Sequence, residues 1–128
     1  FVEIAGEFGT DDIAAGMSVS WGDYNRDGKA DIYVGNMFSS AGGRISYQRS
    51  FATRQSEDAV AGLQRMARGS TLFAAAAEAD RFVDVSETAG VTMGRWAWSS
   101  AFADVNNDGW EDIVVANGFL TNSRADDL

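Results

Sequence analysis

The chain repeats itself. Carried forward by 81 residues, "DYNRDGKADIYVGN" at 23–36 falls on "DVNNDGWEDIVVAN" at 104–117, and "FVEI" at 1–4 falls on "FVDV" at 82–85. A period this long implies stacked supersecondary units, none of which can bury both of its faces alone. At 128 residues and 45% apolar, the chain has material for one core and about two such units.

Within each copy the apolar residues alternate as they do in strands. Met17, Val19 and Trp21 share one face of "MSVSWG" while Ser18 and Ser20 share the other, and Trp96 and Trp98 alternate with Ala97 and Ser99 in "RWAWSSAF". The short β-branched runs "DIYV" and "DIVVA" read as strands buried on both faces. Further strands are expected at 1–4, 44–48, 70–74 and 81–85, with "AAAEAD" at 75–80 turning between the last two. The alternating tryptophans are expected to pack in the core or between units, given the area an indole buries.

One helix is expected between the copies. Ser56 can cap it, Glu57 and Asp58 occupy its first turn, Val60, Leu63 and Ala67 line one face, Arg65 and Arg68 sit in its last turn, and Gly69 can end it. Its apolar face is expected to cover the sheet. The chain then divides into a first repeat at 1–50, an inserted helix at 51–69 and a second repeat at 70–128.

The repeated loops carry the chemistry. Asp23, Asn25 and Asp27 stand at alternate positions, so three side-chain oxygens can converge from one side, and Gly28 permits the turn that brings the Lys29 carbonyl inward. Asp31 closes the set. Asp104, Asn106, Asp108, the Trp110 carbonyl and Asp112 repeat it behind Gly109. Six or so hard oxygens, completed by water, suit Ca²⁺ at ~2.3–2.6 Å better than Mg²⁺. An EF-hand is excluded, because its bidentate Glu position holds Val34 or Val115 and the flanks read as strands. The expectation is two Ca²⁺ sites, each clamping a hairpin.

Charge and missing residue types narrow the function. A formal charge of −9 argues against a nucleic-acid partner. The chain has no Cys and no His, which removes disulfides, thiolate metal sites and the commonest general base, so any bound metal must accept oxygen. No apolar run reaches the ~18 residues of a membrane span. The chain starts in what reads as the middle of a strand, without an initiator Met or a signal-like segment, so a piece of a longer secreted precursor is expected.

On "DYNRDGKADIYVGN", "WAWSSAFADVNNDGWEDIVVANG" and "FVDVSETAGV", the chain resembles FG-GAP or VCBS-type repeats, the blades of integrin-α-like β-propellers, and within them bacterial proteins related to cartilage acidic protein. The resemblance implies a mainly β fold of about two antiparallel propeller-type blades, with calcium-binding hairpin loops and one inserted short α-helix. It also implies an extracellular or cell-surface setting. Two blades cannot close a ring and would leave edges and faces open, so the partners expected are other copies of the chain or neighbouring blades of a longer one. The function expected is a non-catalytic module for adhesion or self-assembly, with a glycan or protein as a further partner. The alternative implied by the resemblance is part of a calcium-dependent, lyase-like or glycan-binding propeller. Such an enzyme would need a base from Asp, Glu, Tyr or Lys, and Asp84, Glu87 and Glu111 read only as surface carboxylates.

Overall fold

The computed structural model describes residues 1–77 and 80–118. Strand β1 (Gly16–Gly22) turns through the first carboxylate loop into β2 (Asp31–Asn36), and the two pair antiparallel with Gly22 opposite Asp31, Ser20 opposite Tyr33 and Val19 opposite Val34. Beyond β2 lie β3 (Thr71–Ala75) and β4 (Phe82–Asp84), giving a four-stranded antiparallel sheet in the order β1-β2-β3-β4. A second sheet holds β5 (Ala97–Ala103) and β6 (Asp112–Asn117) around the other loop. Its ladder is the first one displaced by the period: Ala97 faces Asn117 as Gly16 faces Asn36, and the register slips between Ala97 and Ser99 as it does between Gly16 and Ser18.

Sheet boundaries and sequence repeats are out of step. Strands β3 and β4, which open the second sequence copy, close the first sheet, because β3 pairs with the free side of β2. The segment "FVEI" is not a strand, although its counterpart contains β4. The counterpart has β3 beside it, whereas among the described residues no strand pairs with residues 1–4, which lead into the short helix α1 (Ala5–Phe8).

Three helices, not one, are inserted between β2 and β3: α2 (Ser40–Ser46), α3 (Arg49–Ala52) and α4 (Glu57–Arg68). The strand expected at 44–48 is the end of α2 and the turn after it. Both edges of β2 are already taken by β1 and β3, and Ser39 offers its hydroxyl to the Gly42 N–H at 3.0 Å as a helix cap. Helix α4 occupies only Glu57–Arg68 of the insert expected at 51–69, but it has the expected cap, the Ser56 hydroxyl accepting from the Ala59 N–H at 3.3 Å. Its apolar face does not cover the sheet. Leu63, Met66 and Ala67 face Ile45 and Phe51 of the other inserted helices. The link to the sheet is ionic: Arg65 pairs with Asp12 at 2.9 Å and with Asp84 at 3.2 Å, and Arg68 with Asp84 at 2.8 Å and Glu87 at 3.4 Å. Asp84 and Glu87 thus have structural work that spacing alone did not show.

The core lies in β2 and β3, where Ile32, Tyr33, Leu72, Phe73 and Ala74 are buried. Hydrogen bonds tie buried polar groups among them, as a dry interior demands, although Asn36 Oδ1 is left without a partner among the described residues. Asn36 donates from Nδ2 to Asp12 Oδ2 at 2.8 Å and Thr71 Oγ1 at 3.1 Å, and the Leu72 N–H reaches Ser86 Oγ at 2.8 Å. Ser86 in turn bonds to Asp84.

The two sheets meet through small residues. The Ser100 hydroxyl stands 3.0 Å from that of Ser18 and 3.3 Å from that of Ser20. Gly22 lies against the Phe102 ring, and buried Ala97 lies against Gly35 and Gly94. The expectation that tryptophans fill this joint is not met. Val19 and Trp21 point away from it and are exposed, as is Trp98. Trp21 instead meets the Phe82 ring edge-on, with centroids 6.3 Å apart.

Candidate functional site

Both carboxylate loops fold the same way, residue for residue. Arg26 and Gly28 adopt left-handed backbone at φ 59° and 82°, and Asn107 and Gly109 at 60° and 84°. This winding aims successive N–H groups inward. Asp23 accepts from the N–H of Asp27 at 3.0 Å and of Gly28 at 2.9 Å; Asp104 accepts from Asp108 at 3.1 Å and Gly109 at 2.8 Å. Asn25 and Asn106 accept from the same Asp27 and Asp108 N–H groups at 3.1 and 2.9 Å. Asp27 accepts from the Lys29 N–H at 2.9 Å, and Asp108 from that of Trp110 at 2.8 Å. The last carboxylate returns to the start of the loop, Asp31 accepting from Tyr24 N–H at 3.1 Å and Asp112 from Val105 N–H at 3.2 Å.

The two loops differ in burial. Asp31 is fully buried, and its second oxygen accepts from the Ala75 N–H of β3 at 2.8 Å. Burial pushes its carboxyl above the usual range; the bonds from Ala75 and Tyr24 oppose this, and the charges of Asp27 and Asp23 add to it. Asp108 is held below the usual range, first by the Trp110 N–H, then by the Asn106 amide, with Arg26 adding a smaller attraction.

In this arrangement the oxygens are engaged with backbone donors. Among the described residues, no three acidic side chains are gathered closely enough to hold a metal ion, and the Asn25 amide donates to Asp27 at 3.1 Å. The donor set nevertheless fits a hard cation. Both oxygens of Asp23, Asp31 and Asp104 and one oxygen each of Asp27, Asp108 and Asp112 accept a backbone N–H, and each of them keeps a second acceptor direction.

The structure also joins the loops to one another. The Asp23 N–H donates to Glu111 Oε2 at 2.8 Å, and the Arg26 guanidinium lies 5.1 Å from the centroid of the Trp110 ring. The Lys29 ammonium donates to the carbonyls of Ala76 and Ala77 at 2.6 and 2.9 Å, tying the first loop to the start of the β3–β4 turn. Glu78 and Ala79, within that expected turn, lie outside the described residues, as do residues 119–128 of the second repeat. Between the loops runs an open groove of about 490 Å³ lined by Trp21, Asp23, Arg26, Lys29 and Glu111, among others. Spacing within either loop gave no sign of Glu111 or Arg26. The signal available was the period itself, since stacked copies bring equivalent loops to the same end.

Comparison with protein families finds the FG-GAP repeat over residues 15–47 and the FG-GAP-like repeat over residues 59–115. No curated protein and no solved structure matches the chain.

Proposed function

Taking as premise that FG-GAP-type repeats account for most of this chain, we propose that it is a calcium-binding, non-catalytic β-repeat module of the extracellular or cell-surface space, serving adhesion or self-assembly. One observation carries the calcium reading: two loops 81 residues apart reproduce the same hydrogen bonds, left-handed residues and oxygen positions. A turn without a ligand needs no such agreement in every oxygen-bearing residue.

Asp23, Asn25, Asp27, Asp31 and the Lys29 carbonyl would hold one Ca²⁺, and Asp104, Asn106, Asp108, Asp112 and the Trp110 carbonyl the other. Calcium supplies positive charge where three carboxylates per loop repel. Two ions would cancel four of the nine excess negative charges and pin each loop between its strands. Because Asp31 also bonds to β3, the first site would brace three strands, and Lys29 extends that brace toward β4.

The non-catalytic reading rests on chemistry. The chain has neither His nor Cys, and the two groups shifted upward among the described residues, Asp31 and Tyr33, are buried at 0% and 1% exposure, out of a substrate's reach. The Arg26 guanidinium lies against the exposed Trp110 ring and competes there with any glycan that would stack on it. The outer setting and the blade-like stacking are supported by the repeat type and by two antiparallel sheets packed through equivalent strands. No described helix is long and apolar enough to cross a membrane.

Calorimetric titration tests the reading. Wild type should take up two Ca²⁺ per chain, and Asp27→Ala or Asp108→Ala one each. Calcium at 100 times Kd should stabilise the fold by about 2.7 kcal/mol per site. Wild type that neither binds Ca²⁺ nor melts later in its presence refutes the proposal.

A further inference from the structure

The joint between the sheets is made of two unlike surfaces. On the four-stranded sheet it is the face of Ser18, Ser20, Gly22, Tyr33 and Gly35. On the two-stranded sheet it is the face of Ser100 and Phe102. Displaced by the 81-residue period, each surface has a counterpart on the other sheet. The first becomes Ser99, Ala101, Ala103, Val114 and Ala116, all exposed on the side of β5 and β6 turned away from the joint. The second becomes Val19 and Trp21, which are 61% and 60% exposed on the side of β1 turned away from the joint. Both halves of one more joint are therefore displayed, on opposite outer faces of one chain.

We propose that a second copy of this chain docks its Val19 and Trp21 onto the Ser99–Ala101–Ala103–Val114–Ala116 face, so that the internal joint continues between molecules. This rests on the assembly reading above and names its partner and surfaces; it does not require the calcium reading. The substitutions between the two joints are mutually compensating. Where the internal joint has the Tyr33 ring, the outer face has the smaller Val114. Where it has Phe102 and Ser100, the partner copy brings the larger Trp21 and Val19.

Gly22 has no room for a side chain, since a Cβ there would stand 2.2 Å from Phe102 Cγ. Ala103 carries that Cβ, so the second joint must open slightly at its loop end, and the space released at Val114 lets the indole shift. Of the linked hydroxyls of Ser18, Ser20 and Ser100, the first keeps its counterpart in Ser99, while the other two become Ala101 and Val19. The outer joint is the drier of the two, and removal of these apolar groups from water drives it. Because the surfaces differ, the contact is head to tail: every addition leaves one of each surface free, and growth continues unless the rotation closes a ring.

Sedimentation velocity in excess Ca²⁺ tests this with complementary variants. Wild type should associate with rising concentration. Trp21→Ser and Ala101→Arg should each weaken association at least about 100-fold, the arginine because it buries an unpaired charge. Mixed together they should give a one-to-one dimer that grows no further, since each keeps the surface the other lacks. Val19→Asp and Ser99→Arg repeat the pair should either first variant not melt cooperatively. Wild type monomeric to about 1 mM, variants that associate as wild type does, or a mixture of folded variants that stays monomeric overturns the inference. Chelation separates the two readings. Association through these residues that survives chelation keeps the docking and removes calcium as its brace. A monomer whose melting temperature still rises with calcium keeps the calcium sites and overturns the docking.

Discussion

Gly22→Ala probes the joint directly, because two effects of opposite sign compete at that residue. Gly22 is not among the residues with positive φ, so replacing it by alanine lowers the entropy of the unfolded chain and, with room available, stabilises by about 0.4–1 kcal/mol. The structure leaves no room. The added Cβ would lie 2.2 Å from Phe102 Cγ and 2.6 Å from its Cβ and Cδ1, the base of the ring rather than a mobile tip. The sheets must separate or the ring must leave its rotamer, at a cost of about 1–3 kcal/mol. The net expectation is destabilisation by about 0.5–2 kcal/mol. Gly62→Ala in α4 supplies the control, for a Cβ there meets nothing within 4 Å and should stabilise by about 0.5–1 kcal/mol. Urea unfolding in excess calcium measures both, and an unchanged m-value assigns the change to stability. In a Phe102→Ala background the penalty at Gly22 should vanish, giving a coupling of about 1–3 kcal/mol. A Gly22→Ala variant as stabilised as Gly62→Ala, in either background, would show that β1 and β5 do not approach as described.

Two further outcomes are expected. The raised carboxyl of Asp31 makes its contribution to stability fully present below its unfolded pKa and lost as pH rises through the folded one, so in chelator the melting temperature should gain from Asp31 as pH falls from neutral toward the carboxylate range; Asp108, shifted the other way, gives stability above its unfolded pKa that is lost as pH falls through its folded one. Asp31→Asn should abolish the first gain, and a thermal pH series indistinguishable from wild type refutes the assignment. Ser86→Ala leaves the buried Leu72 N–H without its acceptor and should cost about 1–3 kcal/mol; a loss under 0.5 kcal/mol in urea unfolding would show that water replaces the hydroxyl freely.

The parts legible in the sequence were those whose geometry is local. The alternation of "MSVSWG" and the cap and charges of α4 each specify their own conformation, and both lie where expected; the glycines after the loop oxygens make the expected turn. What failed was decided by neighbours. Ile45 and Tyr47 have strand propensity, but no free edge of β2 remained for them, and "FVEI" matches a strand whose partner is β3. Ring area does not locate the joint, because backbone approach does: Gly22 and Gly35 mark where two sheets come close, a use of glycine in strands that is visible in the sequence.

The same distinction explains how the two copies differ. The oxygen-bearing side chains and the turn glycine are identical between copies, as the ligand proposed for both loops requires, whereas Tyr24, Arg26, Lys29 and Ala30 answer to Val105, Asn107, Trp110 and Glu111. The sheet faces are not identical either: Tyr33 answers to Val114, Gly35 to Ala116, Ser100 to Val19 and Phe102 to Trp21. A face is shaped by what it meets, and these faces meet different things. Val19 and Trp21 differ from Ser100 and Phe102 in the direction that suits a wider, drier joint with Val114 and Ala101 opposite. Divergence on the faces, with the oxygen-bearing loop positions held constant, follows if those positions answer to one requirement within each hairpin and the outer faces to a second requirement set by another copy.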